Sequence, residues 1–299
     1  MTKRTILHSM ATATAPDPKS IVRDAVNDVM ALATLPEVTS RVIATVEDPR
    51  SSAGQLHKII AHDPSLSARI LKVVNSAFYG TSGQIGSVER AIVLLGLNAV
   101  KNVAVSASLG QLFRGVKLGE GFTAKDLWTH CIAVGVTARE LALKVNRAKA
   151  DEIFVAGLIH DVGILVELQT WPEKLQTICT TAKRTNADFC EVERQVLGVD
   201  HQALGKGLTE RWKFTKSCQQ AAGFHHDPAA LADDDRTMVT LVYIADTLCC
   251  QSDRGFNLTA RNQTIEPEML ASLGTNEATI EQVRNSMSES IASAMSVFT

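Results

Sequence analysis

From residue 17 onward apolar side chains recur every three or four positions and alternation of period two is almost absent, so helices are expected nearly throughout. In "DPKSIVRDAVNDVMALATLP" the residues Ile21, Val22, Ala25, Val26, Val29 and Leu32 share one helical face, with Pro18 near the start and Pro36 past the end. "LPEVTSRVIATVEDP" and "SSAGQLHKIIAHDP" each stop at Asp-Pro, because the residue before a proline is pushed out of the α region. "DPSLSARILKVVNSAFYG" places Pro64 in a first turn, where its missing N–H costs nothing, and stops near Gly80. "SVERAIVLLGLNAVKNVAVSASLGQLF" reads as two helices, the first capped by Ser87, with the break at Gly96 to Asn98.

A second set follows the glycine-containing "FRGVKLGEGFTA". The stripe Leu127, Cys131, Val134, Ala138, Leu141, Ala142 and Val145 marks one helix, with His130 beside it. Next come a helix around 152–168, then "PEKLQTICTTAKRT", "DFCEVERQVLG", "DHQALGKGLTERW", a helix entering "GFHHDP", the apolar "TMVTLVYIADTLCCQ", and two helices broken at Gly274. The expected fold is all-α with two lobes. Residues 1–16 are expected as a loose tail, 17–115 as an N-terminal lobe, 116–250 as a second lobe, and 251–299 as C-terminal helices packing on the second lobe.

Composition narrows the function. With 45% apolar and 21% charged residues the chain can bury a sizeable core, and a net charge of −2 without a Lys/Arg-rich run or glycine-rich phosphate loop argues against a direct nucleic-acid ligand. The six cysteines form no C-x-x-C pair and two of them are adjacent, so they read as small apolar residues of a reducing cytoplasm. No apolar run is seen to approach the roughly 18 residues that span a bilayer, and the start of the chain lacks a secretory apolar centre, so neither a membrane partner nor export is expected.

Chemistry concentrates in "AGLIHDVGIL". Between Ile153 and Leu168 only His160, Asp161 and Glu167 are polar, and burying such groups without partners costs several kcal/mol. Taken alone, the His160-Asp161 pair reads as a buried ion pair or capped imidazole that fixes the packing register, ahead of a ligand role. The other histidines add weight: His130, His201, His225 and His226 also fall in the second lobe, Asp246 sits on a strongly apolar helix, and Asp126 lies four residues before His130 on the same helical face. Facing helices that converge imidazoles and carboxylates suit a divalent transition metal. Two alternatives stay open: His201 after Asp200 also suits a plain helix start, and His225-His226 before Asp-Pro an exposed helix end. Trp128, Trp171 and Trp212 read as packing residues, and Asn75 as a turn or interhelical hydrogen bond.

The order His130, His160-Asp161, Asp246 resembles the H…HD…D signature of the HD superfamily of metal-dependent phosphohydrolases. "DPSLSARILKVVNSAFYG" followed by "SVERAIVLLGLNAVKNVAV", with Leu35 and Pro36 upstream, closely resembles the HDOD domain, the HD-related output domain of bacterial signalling proteins. The resemblance covers roughly Leu35 to Asp246. It implies an all-helical fold and a regulatory role exercised through other signalling proteins. Similarity to the HD-GYP phosphodiesterases, which hydrolyse cyclic-di-GMP, further implies that Asp126, His130, His160, Asp161, His201, His225, His226 and Asp246 ligate one or two ions of iron, manganese or zinc.

Two departures bear on catalysis. The family's HD-x-x-Lys is "HDVGI" here, with Ile164 in place of lysine, and no Gly-Tyr-Pro element follows His226. A cation that neutralises charge growing on a phosphate is worth about two to three powers of ten in rate, and isoleucine supplies none. The expectation is therefore a regulatory module with a retained but catalytically degenerate metal site and no assigned catalytic residue. The alternative is a metal-dependent phosphohydrolase acting on a nucleotide or cyclic dinucleotide.

Overall fold

Helix starts are set largely by caps that the sequence offers. In the computed structural model, which describes residues 17–32, 37–48, 50–76, 78–80, 83–113, 117–145 and 149–298, α1 (Pro18–Leu32) and α2 (Glu37–Glu47) lead the chain. Ser52 and Gln55 then form a reciprocal capping box on α3 (Ala53–Ala61). Asp63 accepts the Leu66 N–H at 2.9 Å to open α4 (Pro64–Val74), and Ser87 caps α5 (Val88–Leu95) as expected. Gly96, at φ 87°, makes the foreseen break before α6 (Leu97–Leu109). The expected tail, residues 1–16, and Leu35 and Pro36 of the family pattern lie outside the described residues.

A short hairpin, β1 (Lys117–Gly119) and β2 (Phe122–Thr123), precedes the long α7 (Ala124–Val145). After it come α8 (Ala150–Ile159), α9 (Val162–Thr170), α10 (Pro172–Thr185), α11 (Phe189–Leu197), α12 (His201–Arg211), α13 (Lys216–Phe224) and α14 (Asp233–Gln251). The chain ends with α15 (Pro267–Ser272) and α16 (Glu277–Phe298). The architecture is all-α, the hairpin being the only strand pair among the described residues.

Two cores result. Leu56, Ile60, Leu66, Ile70, Val100 and Val103 close the smaller one among α2 to α6, while Leu127, Ile132, Phe154, Leu165, Leu204 and Leu241 belong to the larger. The helix α1 differs from its expected place in a lobe spanning 17–115: Ala25, Val26 and Val29 bury their stripe in the larger core, against α9 and α12. The lobes meet at Phe78, whose ring lies 5.1 Å from that of Phe154 and 4.8 Å under the Arg139 guanidinium. The last helix, α16, runs along α7 and brings Phe298 to within 5.6 Å of Phe154.

The stretch 150–170 corrects two expectations. With a mean hydropathy of 1.5 over its apolar 18-residue window, this 21-residue stretch is long and apolar enough to cross a membrane, yet that window is 89% buried inside the protein. It is apolar because α8 and α9 lie at the centre of the larger lobe, covered by α6, α7, α12, α13 and α14. Nor is it one helix: α8 stops at Ile159 and α9 starts at Val162, with His160 and Asp161 in the break and Asp161 at φ −93°, ψ 16°.

Candidate metal centre

Close helix crossings assemble the centre. A Cβ on Gly157 would stand 2.9 Å from the Gly135 Cα, so this glycine pair lets α8 sink onto α7 and brings His160 toward His130. A Cβ on Gly163 would stand 1.9 Å from the His201 carbonyl oxygen, so α12 starts directly against α9. Asp200 caps α12 by accepting the Ala203 N–H at 3.0 Å, and His201 is that helix's first residue. His225 and His226 follow the end of α13, and Asp246 projects from α14.

The side chains converge in two groups that share Asp161. In the first, Nε2 of His130 lies 3.0 Å from Asp246 Oδ1 and 3.7 Å from Asp161 Oδ2, and Nε2 of His160 lies 3.3 Å from Asp161 Oδ2. In the second, Nε2 of His201 and of His225 each lie 3.3 Å from Asp161 Oδ1, and Nε2 of His226 lies 3.0 Å from that of His201. Asp161 thus turns one oxygen to each group. His130, His160, Asp161, His201, His225 and Asp246 are fully buried, and the His226 side chain keeps 8% exposure.

Every imidazole is held by its other nitrogen. Nδ1 of His130, His160 and His225 meets the carbonyls of Arg254, Gly157 and Ala221 at 3.3, 2.7 and 2.9 Å. Nδ1 of His201 meets the Glu193 carboxylate at 2.8 Å, and Nδ1 of His226 the Gln263 carboxamide. These contacts leave all five Nε2 atoms pointing inward; at His130, His160, His201 and His225 the outer partner is an oxygen that can accept from Nδ1–H, the arrangement that orients metal-bound histidines, whereas at His226 the carboxamide nitrogen of Gln263 faces Nδ1. Inside, Nε2 of His130 and His160, both Asp161 oxygens and Asp246 Oδ2 are buried without a hydrogen-bond partner. Leaving so many polar atoms unsatisfied is costly, and a cation among imidazole nitrogens and carboxylate oxygens removes that cost. The residues fit a divalent transition metal.

The electrostatics of these side chains agree. Burial opposes charge on His160, but Asp161 and Asp246 outweigh it and lift the imidazole to about 10. His201 likewise reaches about 10, burial being overcome by Cys190, Asp161 and Glu167. Asp161 and Asp246 stay well below the usual carboxylate range because the facing imidazoles outweigh burial. Burial and the neighbouring imidazoles lower His225 and His226. The cluster therefore carries internal charge pairs that a metal would replace.

Seven of the eight expected ligands are brought together: His201 starts a helix and also joins the cluster, and His225 is buried rather than at an exposed helix end. Asp126 is the correction. Its Oδ2 accepts the Thr123 N–H at 2.7 Å and the Thr123 hydroxyl at 2.6 Å, closing a capping box on α7 instead of reaching the cluster. The spacing Thr123-x-x-Asp126 is itself the signal for that role. Glu193, unforeseen, lies on the apolar stripe of α11 with Phe189 and Leu197, where a carboxylate needs a partner.

A model of the HDOD domain matches residues 32–228, well over half the chain and every clustered residue except Asp246. Among solved structures, an HDOD domain protein of unknown function from Geobacter sulfurreducens superposes with a TM-score of 0.76 at 21% identity, over 94% of this chain and 99% of that one. A candidate signal transduction protein from Marinobacter aquaeolei VT8 gives 0.75 at 22% identity, over 94% and 65%. A candidate metal-dependent phosphohydrolase from Shewanella amazonensis SB2B gives 0.60 at 21%, over 94% and 100%. These likenesses are of fold. An uncharacterised protein of Treponema pallidum (strain Nichols) is 22% identical over 216 residues, and the match spans 71% of this chain but 41% of that relative's length. The chain belongs to the HDOD domain family.

Proposed function

We propose that this chain is a bacterial, cytoplasmic signal-transduction output module that acts by binding other signalling proteins, and that its buried centre holds one or two ions of iron, manganese or zinc without hydrolysing a phosphodiester. His130, His160, Asp246 and Asp161 Oδ2 would hold one ion, and Asp161 Oδ1, His201, His225 and His226 the other. A bound ion supplies Lewis acidity and lowers the pKa of a water.

The observation that carries this reading is the closure of the centre. Six of its seven side chains have no solvent exposure, and only the edge of His226 meets a cleft, of about 600 Å³, lined also by Arg194, Gln202, Lys206, Phe224 and Gln263. A phosphate in that cleft stays outside the ligand cage. Arg194 is already paired with Asp200 at 2.6 Å, and Ile164, in the place of the family lysine, is fully buried and apolar. Val93 and Leu94 on α5, 75% and 56% exposed, support a protein-binding surface on the other lobe.

The second reading, a phosphohydrolase of nucleotides or cyclic dinucleotides, draws on the same cleft, because Lys206 there offers a cation to an anionic ligand. Incubating the purified protein with cyclic-di-GMP after loading with iron, manganese or zinc separates the two. Negligible hydrolysis with metal bound is expected, and robust turnover abolished by Asp161→Asn would establish the enzyme.

A further inference from the structure

His201 is held differently from the other four imidazoles of the centre. Three of those rest on backbone carbonyls and one on a carboxamide, whereas Nδ1 of His201 meets Glu193 Oε1 and Oε2 at 2.9 and 2.8 Å. The same carboxylate accepts the His201 backbone N–H at 3.1 Å, so one side chain fixes both the ring and the first residue of α12. Glu193 is fully buried. Beside it lies Glu167 of α9, also fully buried; burial first and then the adjoining Glu193 carboxylate push its carboxyl well above the usual range, so that a protonated Glu167 donates a hydrogen bond to Glu193. Apolar residues of similar volume would pack this region at lower cost, since buried ionisable groups seldom stabilise a fold on balance.

We propose that Glu193, buttressed by Glu167, is a positioning residue that holds His201 with Nδ1 protonated and Nε2 aimed at Asp161, and so sets the metal affinity of the His201, His225 and His226 pocket separately from the His130, His160 and Asp246 pocket. The inference rests on the reading of the cluster as a metal centre. A carboxylate acceptor makes an imidazole a more basic ligand than a carbonyl does, and changes in such outer contacts cost about 10- to 100-fold in metal affinity. Only the second pocket has this support. Cys190 lies on the same side of the ring, its Sγ 4.0 Å from His201 Nδ1, and together with Glu193 it offers the one competing use of that nitrogen, as ligand of an additional ion.

Cobalt(II) titration of the chelated full-length protein, followed by absorption and elemental analysis, tests the proposal. Wild type is expected to take two equivalents. Glu193→Gln, which keeps the size and removes the charge, should weaken one of them about 10- to 100-fold and leave the other unchanged, with partial rescue in Glu193→Asp. Nitrogen chemical shifts of His201 in the zinc-loaded protein, where Nε2 is deprotonated for the metal, should show a single Nδ1–H tautomer in wild type and a mixture in Glu193→Gln. The chelated melting temperature controls for folding, and Glu167→Gln carries the same comparison if Glu193→Gln does not fold. Equal weakening of both ions, or unchanged affinities with an unchanged tautomer, would overturn the proposal. A third equivalent with a thiolate-to-cobalt charge-transfer band that disappears in Cys190→Ser would also overturn it, since Glu193 would then ligate its own ion. Wild type that takes up no cobalt contradicts the metal centre itself, whereas two equivalents indifferent to Glu193→Gln contradict the positioning role alone.

Discussion

Asp161 Oδ1 stands 3.3 Å from Nε2 of His201, across a helix crossing that exists because residue 163 has no Cβ. Through that contact a carboxylate belonging to the His130 and His160 group also serves the His201, His225 and His226 group. The His-Asp pair quoted from the sequence is therefore the hinge of two pockets rather than a ligand pair for one. Asp161 is placed for this by the helix break at 160–161, which turns its carboxylate between α7, α12, α13 and α14.

Gly163→Ala tests the crossing. Its methyl would meet the His201 carbonyl at 1.9 Å, and the obstacle is backbone that cannot rotate away. Overpacking of this kind costs about 1–3 kcal/mol, here expected at the upper end. Urea denaturation of the chelated protein should show that loss, and metal titration should show weakening of the second pocket before the first.

The chelated protein should lose stability as pH rises above 6.5, because the raised carboxyls of Glu167 and Glu193 lose their contribution there together with His160 and His201. His160 and His201 are raised to about 10, so their contribution is fully present below the ordinary value of 6.5 and is lost as pH rises toward 10. His225 and His226 are lowered, so theirs is present above 6.5 and is lost as pH falls through their folded values. The depressed carboxylates of Asp161 and Asp246 add to the acid-side loss. Metal binding needs neutral imidazoles, so the gap in melting temperature between loaded and chelated protein should widen from pH 6.5 to 10, with proton release on loading measurable by calorimetry in two buffers. A gap that narrows over this range would contradict the assignment of His160 and His201 as ligands.

Much of this was legible along the chain. Ser87, Pro64 and Gly96 mark helix ends by local chemistry, and His130, His160, Asp161 and Asp246 stand out because polar residues on apolar helices need partners. Asp126 was misread because i, i+4 spacing to His130 places it on the right face, whereas its cap to Thr123 turns the carboxylate back toward the helix start. The break at 160–161 carries no proline or glycine, so no local signal marks it. The place of α1 on the larger lobe is a tertiary effect, since its stripe fits any apolar partner. Glu193 was readable as a charge on the stripe of α11, but its partner His201 lies in the next helix, and only the fold brings the two together.

Ile164→Lys should not restore an enzyme. Ile164 is fully buried in the larger core, so a lysine there loses packing and strands an amine away from water. A destabilisation of several kcal/mol is expected in thermal or urea unfolding, together with unchanged, negligible hydrolysis of cyclic-di-GMP. Activity appearing in this variant at wild-type stability would place the position at the rim of the centre rather than in the core.

The most direct measurement is elemental analysis of the purified protein, wild type beside Asp161→Asn, after loading with iron, manganese or zinc and desalting. Because one carboxylate faces both groups, the single change should remove or weaken both ions, whereas Asp246→Asn should affect one. The account expects up to two equivalents in wild type, a raised melting temperature reversed by chelator, and near-complete loss of metal in Asp161→Asn. Wild type without retained metal, or Asp161→Asn that retains the full complement, would contradict a metal centre built on Asp161.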